Sequence, residues 1–461
     1  MKGKILTACL VLALLLKLFI DGFVDINKFG GQFKSINLHK QLSFYSNPDD
    51  GEMAQVARNV LIGKGFVTDI SFDRPKFRTD TEWQTAFRPK LNVLVHVAGL
   101  KIYLLLHPQY NILEDKNIPA PYFEAFTTTI FVVKNLLFLI SLFYFFRLAG
   151  VFLNKDRALG ATILYCLYPS IILYVGMINI FECLIMPCLV IIASIHLYNR
   201  KNYKPFSFSE ILFFALAIPT ICFLKMQVSL IMIFLYLVML ADVISESIRI
   251  KQYLLAYMPA NIIIALFTFY IISSNYQTTG RAIISNQSAL NLFHGNNPFA
   301  KGSWNPSIWK QYAKEIDPIL EKNKEKLSSD EFTETQFYKT WAVDWMKTHP
   351  KQELLLCFRK LAIYFLPNNS NCWKINPITL FVHICFFGFV FFFFWGKFKG
   401  IEFLYILAPV TAILAVNLIF FVEYRWRYLA DPFMVLTACV FIDFVLNKLK
   451  PQSSLTRTPG N

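Results

Sequence analysis

The stretch SEILFFALAIPTICFLKMQVSLIMIFLYLVMLADVISE, residues 209–246, holds two apolar runs, 209–224 and 228–246, parted only by Lys225-Met226-Gln227. A helix needs about 20 mostly apolar residues to cross a bilayer, so runs of this kind joined by so short a turn read as a membrane hairpin. The rest of the chain agrees. Of its 461 residues 55% are hydrophobic and only 16% charged, Phe occurs 47 times, and the mean hydropathy is +0.45. A soluble domain carries about 25% charged residues. The composition therefore predicts an all-α polytopic membrane protein, because a helix satisfies its own backbone while presenting apolar side chains to lipid.

Apolar windows place spans at 5–23, 124–146, 158–174, 183–199, 209–224, 228–246, 253–273, 377–395, 401–421 and 430–447, about ten in all by length and hydropathy. The first reads as an uncleaved anchor, since Lys17 and the lack of a small-residue cleavage site before Asp21-Gly22 argue against a signal peptide. With alternating spans, Lys2 and Lys4, Arg147, Lys155 and Arg157, Arg200, Lys201 and Lys204, Arg249 and Lys251, Lys397 and Lys399, and Lys448 and Lys450 share one side. The positive-inside rule makes that side the cytoplasm, with both termini there. The net charge of +15 is then a topology signal and an affinity for anionic headgroups. No nucleic-acid-binding module accompanies it. Most of the nine Cys lie inside apolar segments, which is core usage rather than a disulfide or zinc framework.

This topology leaves two long outer segments, 24–123 and 274–376, and divides the chain into a membrane module 1–273, an outer subdomain 274–376, C-terminal spans 377–447 and a cytoplasmic tail 448–461. Residues 91–107 carry Asn92, His96, Gly99 and Tyr103 on one side of a helix and Leu91, Leu94, Val95, Ala98, Ile102 and Leu105 on the other. The segment is apolar enough for an extra span, but that would put Arg147 to Arg157 outside against the charge rule, so the pattern predicts an amphipathic helix along the outer interface. Residues 354–366, interrupted by Arg359 and Lys360, read likewise. The charged stretch 305–350, with Trp309, Trp341 and Trp345, predicts a small helical cap.

The segment 44–66, FYSNPDDGEMAQVARNVLIGKGF, reads as another interfacial helix. Asn47 suits its cap, Pro48 its first position, and Asp49, Asp50 and Glu52 the positive end of its dipole. Met53, Val56, Ala57, Val60 and Leu61 form one stripe, and Gly63 and Gly65 end it. One cap needs one carboxylate. Two adjacent ones raise each other's pKa, which a general base can use.

From Asp49-Asp50 through Met53, Ala57, Leu61, Gly63, Gly65 and Phe66, the stretch resembles the first outer loop of GT-C-fold glycosyltransferases. The likeness is to the branch of protein O-mannosyltransferases and lipid A aminoarabinose transferases, where Asp-Glu is usual and an aromatic stands at the position of Met53. Four further segments resemble that family in the same order: AFRPKLNVLVHVAGLKIYL (86–104), with Lys90 in place of a second Pro; ALGATILYCLYPSIILYVGMINIFECLIMPCLVI (158–191); LNLFHGNNPFAKGSW (290–304); and EYRWRYLADPF (423–433).

The resemblance implies an integral membrane enzyme of the GT-C fold, in the bacterial inner membrane, passing a sugar from a polyprenyl-phosphate donor to a lipid, glycan or protein acceptor on the outer face. It makes Asp49 the general base, tuned by Asp50, with Glu182 the second acidic loop residue. Arg88, Lys225, Arg425 and Arg427, interleaved with Tyr424, are the candidates for donor phosphate, and His294, Asn296 and Asn297 for sugar hydroxyls. Each has a plainer reading: helix capping for the acids, snorkelling or aromatic-belt placement for the cations, turn chemistry for Gly295-Asn296-Asn297-Pro298. No cofactor is implied; a divalent ion between Asp49 and Glu182 fits the pattern, but nothing demands it. Two rival readings share the layout. A flippase or transporter of lipid-linked saccharides predicts mid-membrane charges and an internal repeat, whereas the strong charges here lie at span ends. An O-antigen ligase or polymerase is disfavoured by the Asp pair and the run that follows it.

Overall fold

Local punctuation sets the first helix. The computed structural model describes residues 8, 11, 12, 15, 48–68, 83–84, 90–110, 120–168, 182–246, 250–303, 305, 308–329, 331–365 and 377–449. In it α1 is Pro48–Leu61, and Gly63 and Gly65 leave it with φ of 84° and 83°, a conformation that glycine alone enters without strain. A two-residue antiparallel ladder follows, β1 Val67–Thr68 on β2 Trp83–Gln84. Next come α2 Lys90–Leu106, α3 Ala120–Phe152, α4 Lys155–Leu167, α5 Glu182–Lys201, α6 Phe208–Leu224, α7 Gln227–Glu246 and α8 Ile250–Thr279.

Six helical stretches among the described residues are long and apolar enough to cross a membrane: Val132–Phe152, Gln227–Ile244, Ile250–Gln277, Pro377–Phe394, Glu402–Ile419 and Asp431–Leu449. The chain is thus a multi-pass, almost wholly helical membrane protein. The remaining expected spans fare differently. Phe208–Leu224 is apolar but shorter, residues 169–181 lie outside the described residues, and so does most of 5–23. Helix α5 is not among the six; residues 185–197 are buried without a break, the pattern of a helix packed in protein on every side. It leans on α3, while α6 packs on α8, α7 on α16 (Glu402–Ile419), and α15 (Pro377–Phe394) on α18 (Asp431–Leu449).

The bundle has two ends of different character. At one, Arg200 at the close of α5 holds Asp242 of α7 through Nε at 2.6 Å and Nη2 at 3.0 Å, and its Nη1 reaches Glu402 at the start of α16. Tyr253 and Tyr405 also donate to Asp242, at 3.2 and 3.1 Å. Arg157 pairs with Asp443, Lys201 donates to the Val151 carbonyl, and Arg147 lies 3.6 Å from the centre of the Tyr198 ring. The cations at 147, 157, 200 and 201 therefore do share one end.

At the opposite end sits the cap expected from residues 305–350. It comprises α9 Gln287–Gly295, α10 Ile308–Gln311, α11 Ala313–Lys322, α12 Lys324–Ser329, α13 Glu331–Thr348 and α14 Pro350–Phe365. Leu290, Phe293, Ile308, Ile316, Leu320, Leu327, Tyr338 and Ala342 give it a small core of its own.

The structure shows which faces of the helices read as interfacial are enclosed by protein. In α1 the stripe residues Met53, Val56 and Ala57 are buried, but so are Glu52, Arg58 and Asn59 on other faces, so the helix is enclosed rather than laid on a surface. In α2 the polar face turns inward: Lys90, Asn92, His96 and Tyr103 are buried, while Ile102, Leu105 and Leu106 are exposed. Helix α14 buries Lys360 and exposes Leu354, Leu355 and Phe358, with Arg359 exposed beside them. The exposed leucines and isoleucine share these faces with Lys101 and Arg359, as at a lipid–water boundary, while the buried polar side chains find partners within the protein.

Replacing Asp242 by Ala strands the Arg200 guanidinium among two tyrosines and one remaining carboxylate. Breaking a buried pair in this way costs about 3–5 kcal/mol, so the Asp242→Ala protein is expected to unfold at clearly lower denaturant concentration in detergent. An unchanged midpoint would show that the pair does not hold this end together.

Candidate functional site

The end opposite Arg200 gathers most of the described residues singled out by sequence. Lys225 closes α6, and its ammonium lies 5.7 Å from the centre of the Trp426 ring. Trp426, in the short helix α17 (Tyr424–Arg427), packs on Phe421 at 4.9 Å. One residue before Lys225, the Leu224 carbonyl accepts from Asn92 of α2 at 3.4 Å. Two residues before Asn92, the Lys90 ammonium donates to Ser274 of α8 at 2.5 Å and lies 4.3 Å from the centre of the Phe66 ring, just past α1. A chain of contacts thus links the close of α1 and β1, the start of α2, the close of α6 and the 424–427 turn. Asp49 stands ten positions before Asn59 on α1, about 15 Å along the helix axis. The described contacts join this cluster to the closing end of α1, where Asn59 donates to the Val67 carbonyl at 2.8 Å.

The second half of the cluster is built on the end of α16. A helix leaves its last carbonyls without intrahelical partners. Here Lys360 Nζ donates to the Leu418 carbonyl at 2.9 Å, and Asn296 Nδ2 donates to the Ile419 carbonyl at 2.8 Å. Gly295 lies so close to Phe420 that a Cβ there would stand 1.7 Å from its carbonyl oxygen. The Lys360 ammonium also donates to Asn296 Oδ1 at 2.6 Å and lies 3.9 Å from Glu353. Next door, Val422 N–H donates to the Gly302 carbonyl at 2.8 Å, and Ser303 bridges Val422. The segments 290–304 and 423–433 are therefore neighbours in space.

Burial shapes the charges. It pulls the lysines at 90 and 360 down to about 8, with Glu353 opposing the shift at Lys360. It lowers His294 to about 4, leaving a neutral ring at pH 7. His96 falls to about 3 for the same reason, its Nδ1 facing the Tyr122 hydroxyl at 3.0 Å and its ring stacked on Phe126.

The sequence candidates divide by role. Asp49 and Asp50 occupy the first turn of α1, Glu182 opens α5, and Tyr424 and Arg425 begin α17. Arg88 lies outside the described residues. Arg427 is buried, donating to the Tyr364 carbonyl at 3.0 Å with Nε 3.5 Å from Asp431, so its guanidinium braces the fold. Asn296 spends its amide on Leu292, Ile419 and Lys360, and Asn297 on Phe293 and Phe299. Both asparagines serve the turn. Sequence reasoning passed over Lys90, noted only as standing where a Pro was expected, and Asp431, whose i,i+4 spacing from Arg427 was the available signal. Among the described residues no group of three or more His, Cys, Asp or Glu is arranged to hold a metal.

No protein-family model, no curated protein and no solved structure matches this chain.

Removing the Asn296 amide leaves the Ile419 carbonyl and one Lys360 proton unmatched in a buried place. A buried polar group left without its partner costs about 1–3 kcal/mol. Asn296→Ala is expected to lose that much stability by thermal unfolding in detergent, and a variant that melts like the wild type would return the residue to the sugar-contact role.

Proposed function

We propose that this chain is a membrane glycosyltransferase that takes a sugar from a polyprenyl-phosphate donor and passes it to an acceptor on the outer face of a bacterial inner membrane, both termini being cytoplasmic. The carrying observation is convergence: residues from four of the five segments that resemble GT-C enzymes meet at one end of the bundle, opposite Arg147, Arg157, Arg200 and Lys201. These are Phe66, Lys90 with Asn92, the 295–302 loop and Trp426 of the 424–427 turn, with Lys225 between them. A lipid-borne donor keeps its tail in the bilayer, so its reacting phosphate sits where helix ends and interfacial helices meet, and this end supplies both.

The chemistry follows from the residue types. Asp49 takes the acceptor's proton as its oxygen attacks the anomeric carbon; the bond from that carbon to the phosphate breaks, and configuration inverts in one displacement. Asp50 and Glu182 set the field around that base. Arg88, Lys225 and Arg425 stabilise the departing phosphate, the charge that grows most in the transition state. Trp426 fixes Lys225 by its ring, and Arg427 holds the turn. His294, neutral at pH 7, is suited to a sugar hydroxyl as donor or acceptor.

Purified protein in vesicles supplied with a polyprenyl-phosphate sugar and a periplasmic lipid extract tests this. The wild type is expected to transfer sugar, and Asp49→Asn to lose at least about a hundredfold in rate, the lower range for a general base, while remaining inserted. Undiminished transfer by Asp49→Asn sinks the base assignment. Movement of the donor across the bilayer without transfer favours the flippase.

A further inference from the structure

Two lysines at this end are equally hidden, with residue exposures of 2% for Lys90 and 0% for Lys360, yet they are matched very differently. Lys360 meets three oxygens: the Asn296 side chain, the Leu418 carbonyl and, at 3.9 Å, Glu353. Its charge is accounted for. Lys90 meets one oxygen, Ser274 Oγ at 2.5 Å, and the face of Phe66. An ammonium carries three donors, and a ring face attracts a cation without neutralising it. Among the described residues Lys90 has no ion-pair partner. A buried ammonium without a counter-charge is costly and tends either to lose its proton or to acquire an anion.

The surroundings favour an anion. Lys90 is the first residue of α2, where unsatisfied backbone N–H groups and the positive end of the helix dipole add to its field. The same helix exposes Ile102, Leu105 and Leu106 at its closing end, about 18–24 Å along the axis from Lys90, so the lysine opens a helix whose far end presents an apolar surface. Burial lowers its basicity to about 8, as it does that of Lys360, so the difference between the two lysines is one of partners.

We propose that Lys90 is an anion-binding residue which, with the Ser274 hydroxyl, takes a phosphate oxygen of a membrane-borne lipid at the start of α2. The inference rests on the donor-phosphate reading only for which lipid that is. Lys90 itself is set apart from the sequence candidates by its burial and its missing counter-charge.

Native mass spectrometry of the delipidated full-length protein tests it, with undecaprenyl phosphate, phosphatidylglycerol and inorganic phosphate as separate probes. The wild type is expected to retain at least one of them. Lys90→Met is expected to weaken that retention about tenfold or more, the size of one charge-assisted hydrogen bond, Lys90→Arg to keep most of it, and Ser274→Ala to lose a smaller part. Retention of all three probes unchanged in Lys90→Met overturns the proposal, as does a wild type that retains none. Retention of phosphatidylglycerol but not undecaprenyl phosphate, lost in Lys90→Met, upholds Lys90 and removes the polyprenyl donor. Retention by free inorganic phosphate alone upholds the anion site and assigns it to a soluble source. Should Lys90→Met fail to fold, amine-directed labelling of wild-type Lys90 decides: the retained probe is expected to protect it, and equal labelling with and without that probe overturns the proposal.

Discussion

The end of α16 is the constraint around which the candidate site is organised. A helix that stops inside protein leaves carbonyls with no water to receive them, and each must be met by a donor or pay its desolvation in full. The chain meets two of them with side chains drawn from other segments, Lys360 for Leu418 and Asn296 for Ile419, and brings Gly295 against Phe420. The ammonium suits the negative end of the helix dipole as well. One consequence is mechanical: the cap, through α9 and α14, is fastened to a membrane-spanning helix. Another is geometric, since the residues after Phe420 leave in a direction fixed by Val422 on Gly302 and by Asn417 on the Glu423 N–H. Trp426 and Arg427 inherit their places from that path.

The opposite end solves a related problem by charge pairing. Arg200 draws Asp242 and Glu402 together at the boundary of three helices, and two tyrosine hydroxyls complete the Asp242 carboxylate. In a low dielectric such a group is worth keeping only if every member is matched. The bundle is therefore pinned at both ends by polar contacts, while between them α5 is buried in the apolar core that α3 and α6 share with it, Phe145 and Ile218 included.

What could be read from sequence follows the range of the interaction. Pro48, Gly63 and Gly65 act on their own backbone, so the bounds of α1 were legible. The two faces of α2 were legible too, because helical periodicity is local. Which face turns inward was not, because amphipathicity separates polar from apolar but does not say which side lipid occupies. Asn296 shows the other limit. Gly-Asn-Asn-Pro announces a turn, but its partners Lys360 and Ile419 lie 64 and 123 positions away. Nothing in four residues reveals them.

Arg200 and Lys90, at opposite ends, also differ in how their charge is held. Opposed carboxylates cancel the field of Arg200 beyond a few ångströms. Lys90 instead leans on Phe66. A ring's quadrupole steadies an ammonium in a poorly solvated place yet leaves its monopole intact, so the field still reaches outward. Ring contact alone does not distinguish the two ends, since Arg147 also lies over the Tyr198 ring beside Arg200. What sets Lys90 apart is burial with a single oxygen partner among the described residues, Ser274, whereas two carboxylates face Arg200. The difference follows from which partners the sequence supplied to each cation.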